Sequence, residues 1–136
     1  MESANVGLAR SIFRAWERGD YGSVDWADPE IELVFVGELF PGTWRGLDGL
    51  LEGWREFLSN WDGFRVEAED YLDVDPGRLL VYTRYGGRGK TSGVDVGMAG
   101  ARGANLLDIR DGRVTRLALY MDRDRARTDA GLEPEA

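Results

Sequence analysis

The chain has 136 residues, no cysteine, no histidine, and 25 acidic against 17 basic residues, for a net charge of −8. These counts exclude disulfides, thiolate or imidazole metal sites, a Ser-His-Asp triad and any imidazole acid or base. A single domain over 1–136 is expected, and so acidic a chain offers a phosphate backbone no basic face, which argues against a nucleic-acid partner. The charge is uneven: residues 25–75 carry 14 acids against 3 bases, and 102–127 carry 7 arginines against 4 acids. No apolar run approaches the roughly 18 residues of a membrane span, and MESANVGLAR lacks a signal-peptide core. A cytoplasmic protein without a membrane partner is therefore expected.

Val6, Leu8, Ala9, Ile12, Phe13 and Trp16 recur at helical spacing and predict an amphipathic helix over about residues 4–18. Gly19 reads as its stop, and Asp20 as the cap of a short second helix through Trp26. Asp28-Pro29 is a turn, Ile31–Val36 a short strand, and GELFPGTWRG a loop. Helical spacing returns from Leu47 to Trp61. After Gly63 the period becomes two: Phe64, Val66, Ala68, Leu72 and Val74 share one strand face. A turn at Asp75–Arg78 leads into a strand from Leu79 to Tyr85. The Gly-rich stretch 86–103 reads as a poor strand, yet SGVDVGM alternates well enough to allow a long, bent one. Two further strands, Ala104–Ile109 and Val114–Met121, flank the hairpin signal Arg110-Asp111-Gly112-Arg113. Asp122 then caps a short helix that ends before Gly131.

Helices first and antiparallel strands after describe an α+β fold, with helices packed in the concave face of a strongly bent sheet. Such a cone leaves a small-molecule cavity between helix and sheet.

Several strings, in this order and spacing, resemble the SnoaL-like (polyketide cyclase-like) family of the NTF2-like superfamily. They are FRAWERGDYGSV, WADPEIEL, WRGLDGLLEGW, GRGKTSGVDV, ANLLDIRDGRV and YMDRDRARTDAGL, which together cover nearly the whole chain. The resemblance implies an NTF2-like, cystatin-like cone: three helices in the N-terminal half, a bent antiparallel sheet and a short C-terminal helix. It also implies a homodimer joined through the outer sheet face, where Tyr120 would be an interface residue. The positions used by ketosteroid isomerases fall on Ile12, Val34 and Asn105. Those used by limonene-epoxide hydrolases fall on Arg84, Gly86 and Leu119, and the cyclase aspartate also falls near Leu119. Known mechanisms of the family therefore lack their carboxylates here.

Strand parity supplies candidate residues beside the resemblance. Glu32 shares a face with Val34 and Val36, as a rim residue, a buried structural partner or a functional carboxylate. Tyr82 and Arg84 share a face that the family overlay makes concave. An arginine there must be paired, by Glu32, Asp70 or a ligand carboxylate. Asp70 lies in phase with the apolar face of its strand, so it sits beyond the sheet edge, follows a bulge, or is buried as a general base. Asn105, in phase with Leu107 and Ile109, either bonds to backbone in the core or holds a ligand carbonyl or oxyanion. Trp16, Trp44 and Trp54 lie on elements bordering the cavity, as core or as a wall for a flat ring. GGRGK lacks the spacing of a phosphate loop, and Glu67–Asp75 lacks that of a calcium loop, so no metal or cofactor is expected.

The expected ligand is a hydrophobic or aromatic small molecule bearing a carbonyl or carboxylate, met by Arg84, Asn105 or Tyr82. If the protein is an enzyme, it would move a proton next to a carbonyl without a cofactor, with Glu32 or Asp70 as base. The alternatives are a non-catalytic binding module and a pure interaction domain. A cavity lined only by Val34, Leu119, Met121 and Trp, with Arg84 neutralised by Glu32, would favour binding.

Overall fold

The computed structural model describes residues 3–37, 41–89, 95–96 and 102–133. The chain order is α1 (Ala4–Glu17), β1 (Ala27–Val36), β2 (Gly42–Arg45), α2 (Gly46–Ser59), β3 (Trp61–Asp75), β4 (Arg78–Gly89), β5 (Asp95–Val96), β6 (Arg102–Arg110), β7 (Arg113–Tyr120) and α3 (Arg123–Asp129). Ser3 starts α1: its Oγ accepts from the Val6 amide and donates to Asp73 on β3. The six buried side chains Val6, Ala9, Ile12, Phe13, Ala15 and Trp16 form one stripe of α1 and fix the face turned to the sheet.

The second helix expected over residues 20–26 does not form. Asp20 does accept from the Gly22 and Ser23 amides, at 3.2 Å each, and from the Ser23 hydroxyl. The chain then turns instead of coiling, because Tyr21 packs into the core and the Trp26 indole donates to the Ser23 carbonyl at 2.7 Å. Among the described residues two helices, not three, therefore occupy the N-terminal half. The expected loop 37–46 contains β2, which pairs antiparallel with β1.

The sheet runs β2-β1-β7-β6-β4-β3, with short β5 paired to β4. All pairings are antiparallel except β1 with β7, which is parallel, so the sheet is mixed where an antiparallel one was expected. The Asp111-Gly112 hairpin forms as read, with positive φ of 53° and 75° at its two central residues, the type I′ signature. Most of the expected 86–103 strand lies outside the described residues; Gly86–Gly89 extend β4, and Asp95–Val96 make β5. Asp122 caps α3 through the Asp124 amide, as read.

Pairing with β4 slips by one residue at Glu69, so Ala68 faces Thr83 and Asp70 faces Tyr82. This bulge inverts the parity of β3. Before it, Val66 and Ala68 face the helices; after it, Tyr71 does, while Val74 packs on the opposite side and Leu72 is 37% exposed.

Two apolar layers result. The concave layer joins α1 and α2 to Ile31, Leu33, Phe35, Val66, Leu79, Val81, Leu107 and Leu117. A smaller layer on the convex face places Ala126 and Ala130 of the α3 region on Leu80, Ala104, Leu106, Ala118 and Tyr120. Helix α2 sits tightly against the sheet. A Cβ at Gly53 would fall 2.8 Å from Leu33 Cδ2 and 2.9 Å from Trp44 Cδ2, so only glycine allows this approach.

Candidate functional site: an aromatic cavity under the helices

Odd-numbered residues of β1 and β4 face the helices, and so do Asn105, Leu107 and Ile109 of β6. Between this face and the helices lies a cavity of about 30 Å³. Trp16, Trp54 and Phe57 come from the helices, and Phe35, Phe64, Val66, Thr83, Tyr85 and Asn105 from the strands. The end of β7 closes it at Leu119–Met121. In this state the space suits one or two waters, so a ring can enter only as side chains move. Phe64, Tyr85, Leu119 and Met121 are the half-buried members of the lining and the ones with room to do so.

The aromatic wall is continuous. Trp16 meets Trp54 edge-on at 5.0 Å and Phe13 at 4.7 Å, and Tyr21 lies 5.0 Å from Trp54. Phe35 stacks on Phe57 at 4.8 Å, and Phe57 meets Phe64 at 5.1 Å. Polar atoms are few. The Asn105 Nδ2, Trp16 Nε1, Trp54 Nε1 and Tyr21 hydroxyl are buried without a hydrogen-bond partner among the described residues. Burial pushes the Tyr21 phenol up to about 12 and raises that of Tyr85, so both stay protonated at neutral pH.

Glu32 lies on the convex face with Val34, flanked by its register partners on β2 and β7. Its carboxylate accepts from Arg116 Nε at 3.1 Å and pairs with Arg45 at 3.1 Å. Asp70 is exposed in a polar groove between α1 and β3, where its carboxylate accepts from the Tyr71 amide. Neither carboxylate lines the cavity. The groove, about 220 Å³, also holds Arg10, Arg14 and Glu17, with Arg10 over the Tyr71 ring at 4.7 Å.

Tyr82 and Arg84 face the opposite way from the expectation. They lie on the convex side, because Leu79, Val81, Thr83 and Tyr85 are the residues of β4 that meet the helices or the cavity. Arg84 pairs with Glu69, its Nε 2.5 Å from Oε2, and not with Glu32 or Asp70. Glu69 also receives Arg123, which donates to the carbonyls of Gly103 (3.0 Å) and Thr83 (2.9 Å) and stacks over the Tyr82 ring at 4.9 Å. The Tyr82 hydroxyl accepts from Arg127. This side therefore carries a clamp that holds α3 to the sheet.

Asn105, 3% exposed, stands in the cavity as its parity predicts, and Trp16 and Trp54 line it. Trp44 does not line it; its ring packs edge-on against Phe35 at 5.6 Å, outside the lining. Tyr120 is not free for a partner. Its ring is buried under α3, and its hydroxyl donates to Asp129 at 2.8 Å. Sequence reasoning missed Thr83, Tyr85 and Phe64. Odd parity in β4 would have found the first two, and the aromatic weight of the 64–85 hairpin the third. Among the described residues no group of acidic side chains is arranged to hold a metal ion. Among the same residues no helix is long and apolar enough to cross a membrane.

Comparison with known proteins bears on the whole architecture. No curated protein matches the chain. Among solved structures, TerC co-crystallised with polyporic acid superposes with a TM-score of 0.74 at 17% identity, over 95% of this chain and 99% of that one. An NTF2-like protein of unknown function from Burkholderia pseudomallei gives 0.75 at 15% identity, over 93% and 97%. A putative polyketide cyclase from Xanthomonas campestris gives 0.63 at 16% identity, over 93% and 96%. At these identities the likeness establishes the fold, an NTF2-like α+β cone. The SnoaL-like domain profile matches residues 9–117, which take in most of α1, all of α2, most of the sheet and the cavity lining short of Leu119–Met121; the chain belongs to the SnoaL-like domain family.

Proposed function

We propose that the protein binds an uncharged, ring-bearing small molecule in the cavity beneath α1 and α2, and that its role is binding rather than proton transfer. The observation that carries this reading is the lining: aromatic and aliphatic walls, the Thr83 and Tyr85 hydroxyls, one buried amide at Asn105, and, among the described residues, no carboxylate or cation. Proton abstraction next to a carbonyl needs a base within reach of the ligand. Glu32 is engaged by two arginines on the other face, and Asp70 stands in an exposed groove. A ring filling the cavity would stack on Trp16, Trp54 and Phe57 as Phe64, Leu119 and Met121 move aside. TerC, which shares this fold, was co-crystallised with polyporic acid, a precedent for a small molecule on such a scaffold.

Naphthalene is a suitable minimal probe. Calorimetric titration should show one site per chain, and Leu119→Trp, which fills the cavity from its half-buried mouth, should abolish binding while the circular dichroism spectrum is kept. Glu32→Gln and Asp70→Asn should bind as the parent does. Equal binding by the Leu119→Trp variant would place the site elsewhere and end this reading.

The convex face supports a second copy of the chain as partner. Val34, Val36, Leu72 and Val74 stay half-buried or exposed beside α3, which covers only part of that surface. Sedimentation equilibrium should give a dimer, and Leu72→Glu with Val34→Glu should give a monomer; a parent protein that sediments as a monomer at tens of micromolar rules the dimer out.

A further inference from the structure

We infer that residues 21–25 form a strap that swings open to enlarge the aromatic cavity, with Tyr21 as its latch; this rests on the cavity being the binding site.

At about 30 Å³ the closed cavity is too small for a ring, so binding needs space from elsewhere. Trp16 and Trp54 form part of its wall, and Tyr21 lies outside the lining, against the same two indoles. The Tyr21 ring stacks on Trp16 at 6.2 Å, 24° from parallel, and meets Trp54 at 5.0 Å. When Tyr21 swings out it leaves a slot of ring size, into which either indole can retreat. The cavity then widens from behind.

The segment that carries Tyr21 is fastened at its ends. On one side the Asp20 amide donates to the Ala15 carbonyl at 2.9 Å. On the other, the Trp26 carbonyl accepts from the Val114 amide, also at 2.9 Å. Between these anchors, the hydrogen bonds of residues 21–25 all run to Asp20, Trp26 or Ala27, their neighbours in sequence. Gly22, Ser23 and Asp25 are exposed, and Tyr21 and Val24 are the strap residues that pack against the core. Among the described residues, lifting the strap therefore breaks no hydrogen bond to either long helix or to the rest of the sheet. Such a segment sits at the low end of local stability.

The latch also works against itself. The Tyr21 hydroxyl is buried with no hydrogen-bond partner among the described residues. Trp26, at the foot of the strap, has its indole N–H on the Ser23 carbonyl at 2.7 Å. A buried hydroxyl without a partner destabilises the closed state, and water satisfies it once the ring swings out. The ring contacts and Val24 favour closure while the hydroxyl opposes it, which brings the open state within reach of a ligand.

Calorimetry with naphthalene on the parent, Tyr21→Phe and Tyr21→Ala separates a latch from a fixed wall. Tyr21→Phe removes the opposing hydroxyl and holds the strap shut. Naphthalene should then bind about five- to tenfold more weakly, with Tm unchanged or raised. Tyr21→Ala frees the strap and vacates the slot, so naphthalene should bind about threefold more tightly or better although Tm falls. Two variants that bind as the parent does, or that shift in the same direction, would overturn the latch. Fluorine NMR on protein labelled with 3-fluorotyrosine reads the strap without a ligand. The Tyr21 resonance, identified by its loss in Tyr21→Phe, should be broadened by microsecond-to-millisecond exchange in the free protein and should move toward its unfolded position with naphthalene. A sharp resonance without exchange, left in place by naphthalene, would overturn the strap even if Tyr21→Ala does not fold. Equal naphthalene binding by Leu119→Trp removes the cavity reading instead, and is told apart because the free-protein resonance does not depend on it.

Discussion

Trp16→Ala is expected to cost about 3–5 kcal/mol of folding free energy, read from urea denaturation followed by circular dichroism. The side chain is 2% exposed and touches four aromatic neighbours: Phe13, Tyr21, Trp26 and Trp54. Removing it leaves a void that helix α1 cannot close, since the helix is held by Ser3 at its start and by Ile12 and Phe13 packed in the core. Trp16→Phe separates packing from polarity. The indole N–H has no partner, so its loss is free of hydrogen-bond cost, and the smaller volume change should hold the penalty to about 1–2 kcal/mol. A Phe variant as unstable as the Ala variant would mean that the indole N–H does have a structural partner in solution.

Arg123→Met should cost about 2–4 kcal/mol and should also change the acid limb of stability. Arg123 ties three things together: the carbonyls of β4 and β6, the Glu69 carboxylate at the bulge, and the start of α3. The Arg123 hydrogen bond, more than the charges of Arg123 and Arg84, holds the Glu69 carboxyl below its usual value against the opposing effect of burial. A carboxyl lowered on folding adds stability above its unfolded pKa of about 4.3, and that contribution disappears as pH falls through the folded value. The parent protein should thus lose stability below about pH 4.5, and Glu69→Gln should flatten part of that decline while lowering stability at pH 7. An acid limb identical in parent and Glu69→Gln would show that the clamp does not form.

Much of this architecture was legible because period and punctuation agreed. Helices α1 and α2, the Asp111-Gly112 hairpin and the Asp122 cap each rest on local chemistry that tertiary contacts did not override. Asn105 was legible for the same reason, since Leu107 and Ile109 define its face without ambiguity. The faces of β4 were not. Leu79, Leu80 and Val81 are three consecutive apolar residues buried on both sides of the sheet, so they fit either parity, and the family overlay chose the wrong one for Tyr82 and Arg84. Asp70 turned on a one-residue slip at Glu69, which a two-residue period cannot reveal. The alternation weighed for that strand did include a bulge, and the bulge is what occurs. Parallel pairing of β1 with β7 left no local trace, because its partners are far apart along the chain.

That pairing orders events during synthesis. Glu32 and Arg116, register partners across the β1–β7 seam, are 84 residues apart. Until Val114–Tyr120 has been made, the one strand partner of β1 among the described residues is the four-residue β2, and its other edge lies open. The β3–β4 hairpin is already complete by then, so a growing chain holds two pieces of sheet whose facing edges are not yet joined. The seam closes late and over a long sequence separation, the kind of contact whose loop-closure entropy slows folding.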